Sequence, residues 1–205
     1  MSPVAVLFDA DGVIQQPATG WQDRLVAMAG AAAPDAAAFL ADVFAAEAPS
    51  LRGKAEFAPA LAEVLRRWNA PCSVDDVLDV WTNIDVDRDV LGVIAELRAG
   101  GISCYLTTNQ HARRAERMSR GLGYAAHFDR EFYSCQVGHA KPDAEFFRAV
   151  LDAIVLPPSR VLFIDDHARN VEAARELGIH GALFPYGAGA LMLRCTLQAF
   201  GIRNV

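Results

Sequence analysis

The feature that most limits how this chain can fold is a set of short, wholly apolar runs that stop at reactive polar residues. Val4 to Phe8 ends at Asp9 and Asp11. Ile102 to Leu106 ends at Thr107, Thr108 and Asn109. Val161 to Ile164 ends at Asp165 and Asp166. A weaker run is Phe132-Tyr133. Continuous apolar runs of this kind predict strands covered on both faces, as in a parallel sheet. Helical patterns lie between and after them. Asp87 to Ala99 carries Val90, Leu91, Ile94 and Leu97 at helix spacing and stops at Gly100-Gly101. Asp143 to Ile154 carries Phe146, Phe147, Val150 and Leu151, and Asn170 to Leu177 stops at Gly178. Alternating strand and helix predict a doubly wound α/β sheet.

One stretch breaks the alternation. From about Gln15 to about Asp85 no convincing strand is visible. Phe39, Val43 and Phe44 form one helical stripe, and Phe57, Leu61, Val64, Leu65 and Trp68 form another. Pro34, Pro49 to Gly53 and Pro71 punctuate the stretch. The expected organisation is a core of residues 1–14 and 86–205, with a helical insert over 15–85.

The 205 residues are 53% hydrophobic and 21% charged, enough to bury a core. The net charge of -6 argues against a broad nucleic-acid surface. Cys72, Cys104, Cys135 and Cys195 are far apart, with no Cys-x-x-Cys pair, so a zinc site is not expected. Sparse cysteine suits a reducing cytoplasm. Val4 to Phe8 is too short to span a membrane, and no targeting segment is visible. The expectation is a soluble cytoplasmic protein with no membrane or nucleic-acid partner.

In open α/β sheets, ligands bind beyond the carboxyl ends of the strands. The fold would therefore gather Asp9, Asp11, Thr108, Asn109, Asp165 and Asp166 at one edge, with Lys141 from Gly138-His139-Ala140-Lys141-Pro142-Asp143. Several carboxylates in one place repel and need a cation. Hard oxygen donors with few histidines favour Mg²⁺. A carboxylate held there can attack phosphorus. A second carboxyl two residues later can protonate the leaving alkoxide and then activate water. A hydroxyl and an ammonium can hold the phosphoryl oxygens. Simpler readings exist: Asp9 and Asp11 as a turn, Asp165 and Asp166 as helix caps, Lys141 as a surface lysine. Strand alternation lets only one of Thr107 and Thr108 face the site, and Thr108, beside Asn109, is preferred. His111, His139 and His167 are read as rim residues. Arg113, Arg117 and Arg120, at i, i+4 and i+7, are read as a solvated helix face.

The order Asp9-x-Asp11-Gly12-Val13, Thr108-Asn109, Lys141-Pro142 and Asp165-Asp166 resembles the four motifs of the haloacid dehalogenase superfamily. The resemblance covers residues 1–14 and about 86–186. It implies a Rossmann-like core with an inserted α-helical cap. It implies that Asp9 is the nucleophile and that Asp11 is the general acid/base and lends its carbonyl to the metal. Asp166 would bind Mg²⁺ directly, with Asp165 in support, and Thr108, Asn109 and Lys141 would bind phosphate. The superfamily's dehalogenases lack the second aspartate, so Asp11 favours a phosphatase acting on a small phosphorylated metabolite. Other readings are a phosphomutase, a 2-haloacid dehalogenase, and a phosphate-binding regulatory module. A monomer or homodimer is expected. Within the cap, Trp21, Arg52 and Lys54 are candidates for touching the leaving group, because small caps often dip a loop such as Arg52-Gly53-Lys54 toward the site.

Overall fold

Strand β1 (Ala5–Phe8) is followed by a short strand β2 (Gln15–Pro17) and four helices: α1 (Trp21–Ala29), α2 (Ala36–Glu47), α3 (Phe57–Arg67) and α4 (Val74–Thr82). Strand β3 (Ile84–Val86) leads into helix α5 (Arg88–Ala99) and strand β4 (Ser103–Thr108). Helices α6 (Ala112–Glu116) and α7 (Tyr124–His127) precede β5 (Arg130–Tyr133). Helices α8 (Ser134–Val137) and α9 (Ala144–Ile154) precede β6 (Val161–Asp165). Helix α10 (Ala168–Glu176), strand β7 (His180–Leu183) and helix α11 (Gly189–Ala199) follow. This computed structural model describes residues 2–30 and 35–203, and Pro34 lies outside them.

Five strands form one parallel sheet in the order β5-β4-β1-β6-β7. All four residues of β1 are fully buried, as the centre of a sheet covered on both faces requires. Alternation divides the strands between two layers. Val6, Phe8, Cys104, Leu106, Leu162 and Ile164 join a cluster with Val90, Ile94 and Leu97 of α5 and Leu193 and Leu197 of α11. Leu7, Val161 and Phe163 pack on the other side with Phe146, Phe147 and Val150 of α9. Helix α5 starts where the Asp87 carboxylate accepts from the Asp89 and Val90 amides, which satisfies two otherwise orphaned donors.

The helices α1 to α4 enclose an apolar cluster of their own. Leu25, Phe39, Val43, Phe57, Leu61, Val64, Leu65 and Trp81 form it, and Trp68 packs against it. The stripe read from Phe57 to Leu65 is therefore the buried face of α3.

The expectation of no strand between Gln15 and Asp85 needs correction. Strands β2 and β3 pair antiparallel, with Gln15 opposite Val86, Gln16 opposite Asp85 and Pro17 opposite Ile84. Three residues rich in Gln and Pro carry too little alternation to read as a strand. Strand β7 is equally faint in the sequence, since His180 and Gly181 interrupt its apolar pattern. Helix α10 begins at Ala168 instead of Asn170. No helix among the described residues is long and apolar enough to cross a membrane.

Candidate active site

The parallel register sets the carboxyl ends of β1, β4 and β6 side by side, and with them Asp9, Thr108 and Asp165. The Asp9 amide donates to the Ile164 carbonyl at 2.9 Å, extending the ladder one residue past β1. The Lys141 ammonium sits between two carboxylates, 2.8 Å from Asp9 Oδ1 and 2.6 Å from Asp165 Oδ2. Its side chain is 1% exposed. Burial pushes the Asp9 carboxyl above its ordinary range, with Lys141 pulling the other way. Burial would lower the Lys141 ammonium, but Asp9 and Asp165 outweigh it and hold it above its ordinary value.

Asn109 fixes the position of Lys141. Its Nδ2 donates to the Lys141 carbonyl at 2.8 Å, and its Oδ1 accepts from the Lys141 amide at 2.9 Å. The amide expected to meet phosphate is thus engaged with backbone. Thr107 Oγ1 donates to the Phe8 carbonyl at 3.2 Å, tying β4 to β1, whereas Thr108 lines the cavity above Asp9.

The two acids at the end of β6 are held differently. Asp165 is fully buried. Its oxygens accept from Lys141 Nζ, the His167 amide at 2.7 Å and Asn170 Nδ2 at 3.0 Å. Asp166 meets one side-chain partner, His167 Nδ1 at 2.7 Å. That hydrogen bond holds the His167 imidazole above its ordinary value. Ligating atoms of Asp165, Asp166 and His167 lie within 4.8 Å of one another. Hard carboxylate oxygens this close suit Mg²⁺, and Asp165 is the one already engaged by three donor groups. Gly12 lets the chain pass this point. Its φ is +81°, and a β-carbon there would stand 2.8 Å from the Asp166 carboxyl carbon.

Asp11 is enclosed by residues that the motif reading did not bring forward. Arg114 donates to both oxygens, at 2.8 and 3.0 Å. Gln15 Nε2 and Gln110 Nε2 each donate at 2.9 Å. Gln110 Nε2 also donates to Thr108 Oγ1 at 3.1 Å. Gln110 lies in the loop before α6 and Arg114 lies within that helix, so no helical spacing links them in the sequence. Of the arginine stripe, Arg113 reaches the insert instead, pairing with Asp75 and Asp79 of α4.

Glu47, at the end of α2, brings the insert to this cluster. Its Oε1 accepts from Trp81 Nε1 at 3.1 Å. Burial pushes its carboxyl up to about 7, against the pull of Arg114. His111 corrects the rim reading: it is 2% exposed, and burial pushes its imidazole down to about 4. His139 is exposed, and the His167 side chain is 72% exposed.

The cavity over these groups is about 390 Å³ and is lined by Asp9, Asp11, Thr108, Asn109 and Lys141 among others. The three insert candidates are not among its lining residues. Trp21 packs edge-on to Trp81, with centroids 5.1 Å apart, inside the insert's aromatic cluster. Arg52 pairs with Asp143 at 3.0 Å, at the start of α9. Lys54 is exposed and lines a separate groove between insert and core.

Comparison with known proteins places this geometry in context. The family described as hydrolase, haloacid dehalogenase-like hydrolase, matches residues 4–178. The chain is 26% identical over 206 residues to bifunctional epoxide hydrolase 2 of Rattus norvegicus, covering 90% of this chain and 37% of that protein. It therefore spans little more than a third of that relative's length. It is 29% identical over 205 residues to N-acetylmuramic acid 6-phosphate phosphatase of Pseudomonas aeruginosa, covering 89% of this chain and 82% of that protein. A HAD family enzyme of Bacteroides thetaiotaomicron, solved as a magnesium complex, superposes with a TM-score of 0.78 at 19% identity. That match covers 91% of this chain and 96% of the other.

Proposed function

The chain belongs to the haloacid dehalogenase-like hydrolase family, and we propose that within this family of enzymes it is a phosphatase. It hydrolyses a small phosphorylated metabolite with Mg²⁺, through an aspartyl-phosphate intermediate. The observation that carries this reading is the pair of differently held carboxylates on one loop. Asp9 is buried against Lys141, and Asp11 is held by Arg114, Gln110 and Gln15. Displacement at carbon needs only the first carboxylate. Transfer to an alkoxide leaving group also needs a proton donor.

Asp9 attacks phosphorus, forming the acyl phosphate as the P–O bond to the leaving group breaks. Asp11 gives its proton to the departing oxygen. It then takes a proton from water, which attacks phosphorus and frees Asp9 and inorganic phosphate. Lys141 and Thr108 hold the phosphoryl oxygens. Asn109 serves that end indirectly, by fixing the backbone of Lys141. Asp9, Asp166 and the Asp11 carbonyl would hold Mg²⁺, with Asp165 ordering Lys141 and Asn170 beside them. When bound, the cation offsets the repulsion between phosphate and carboxylates. The helical insert, residues 15–85, acts as the cap.

The test is release of inorganic phosphate from p-nitrophenyl phosphate with Mg²⁺. Wild type should turn over and Asp9→Asn should not. Equal turnover by both proteins sinks the nucleophile assignment.

A further inference from the structure

Helix α6 carries two adjacent arginines with opposite engagements. Arg113 pairs outward with Asp75 at 2.6 Å and Asp79 at 3.0 Å, both on α4 of the insert. Arg114 turns inward to Asp11, and its side chain is 9% exposed. One short helix is thus tied to the insert on one side and to Asp11 on the other. The cavity over Asp9 is lined by Asp11, and Arg114 is not among its lining residues. Whatever Arg114 does for the reaction, it does through Asp11.

The contact is a fork. Nη2 donates to Asp11 Oδ1 at 2.8 Å and Nη1 to Oδ2 at 3.0 Å. Two parallel bonds fix the plane of a carboxylate as one bond cannot. Gln15 Nε2 adds a donor to Oδ1 and Gln110 Nε2 adds one to Oδ2, each at 2.9 Å. Gln15 is itself oriented. The Tyr124 hydroxyl donates to its Oε1 at 2.9 Å, which turns its amide nitrogen toward Asp11 and Met118 Sδ. Arg114, Met118 and Tyr124 all follow β4, so one stretch of chain holds Asp11 both directly and through Gln15.

This arrangement leaves one donor aside. Arg114 Nε is buried and, among the described residues, makes no hydrogen bond. Burying a donor unpaired carries a cost, and the aim of the fork at Asp11 accounts for it. A proton passes only within hydrogen-bond reach and along a suitable direction. The Asp11 side chain is 30% exposed, so without the fork it could turn toward water.

We propose that Arg114 is a positioning residue for Asp11, holding its carboxyl in one orientation for proton transfer to the leaving-group oxygen. This rests on the phosphatase reading. Arg114 touches neither the substrate nor the metal.

The experiment measures kcat/KM for phenyl, p-nitrophenyl and 2,4-dinitrophenyl phosphate with Mg²⁺. These leaving groups are similar in shape and need a proton in falling order, and kcat/KM covers the steps through their departure. The readout is the phenyl-to-dinitrophenyl ratio within each protein. Arg114→Ala should lower that ratio about 10²-fold. Arg114→Lys keeps the charge without the fork and should lower it by a smaller factor. In an Asp11→Asn background, Arg114→Ala should lower the ratio no further, because the two residues act as a unit. Equal loss on all three esters in Arg114→Ala is what a merely structural role gives, and it overturns the proposal. So does no loss on any of them, or a further fall of the ratio in the Asp11→Asn background. Should Arg114→Ala fail to fold, an unchanged ratio in Arg114→Lys overturns it instead. Each of these results, with p-nitrophenyl phosphate still hydrolysed by the wild type, leaves the phosphatase reading standing. No turnover of any ester by the wild type brings both down.

Discussion

The sheet core and the helical insert are each built around an apolar cluster, yet they hold polar residues in opposite ways. In the core, Asp9, Lys141, Asp165 and Asn170 are enclosed, and each meets a partner of opposite character. In the insert, the polar groups lie at the margin. Trp68 donates outward to Asp42, Trp81 donates to Glu47, and Arg52 reaches across to Asp143. The difference teaches where each region's chemistry originates. Strand ends converge because the sheet is parallel, so the core's reactive groups meet as a result of topology. The insert's groups matter only through how it seats on the core.

Four substitutions break or sharpen this comparison. Asp9→Asn removes a group that topology delivers to the site. It should cost about 10⁴-fold or more in turnover, read by phosphate release, with no change in the insert. Lys141→Ala leaves Asp9 and Asp165 facing each other in the interior. At neutral pH this should cost about 3–5 kcal/mol of stability in urea unfolding. A loss below about 1 kcal/mol would mean that the cluster is solvated like a surface pair.

Leu61→Ala acts on the other side of the comparison. Leu61 is fully buried in the insert, so truncation should cost about 2–5 kcal/mol. Hydrogen exchange should quicken in α1 to α4 while β1 and α5 keep their protection. Equal quickening in both regions would show one cooperative unit. The smallest effect concerns Glu47, at the seam. Burial raises its carboxyl from 4.5 to about 7, so the native protein keeps a proton that the unfolded chain releases. Its contribution is complete below 4.5 and is lost as pH rises through about 7. Glu47→Gln should therefore lessen the fall in urea midpoint between about pH 5 and about pH 8. An unchanged slope would place Glu47 in water.

What the sequence disclosed follows the same division. Asp9, Asp11, Asp165 and Asp166 stood out because each ends an apolar run, and a parallel sheet aligns such ends. Lys141 stood out through the Lys-Pro motif. Arg114 did not, although it is next to Arg113. On a helix, adjacent residues point about 100° apart, so one arginine turns inward to Asp11 and the other outward to Asp75 and Asp79. In a helix as short as α6, that phase is set by packing and is not visible in periodicity. The burial of His111 is hidden in the sequence for a similar reason. What buries it includes Phe57, whose ring centroid is 5.1 Å away, from a distant part of the chain.

The paired stems β2 and β3 carry a last consequence. Pro17 lies opposite Ile84, so the chain leaves for the insert and returns from it at neighbouring residues. The insert is plugged into a two-strand socket. A different helical bundle grafted between the same two strands would face no new demand for closing its ends, and the register of β1 with β4 and β6 would be undisturbed. If the insert is the cap proposed above, reaction and selectivity are separable traits in this architecture. One can be inherited intact while the other is exchanged.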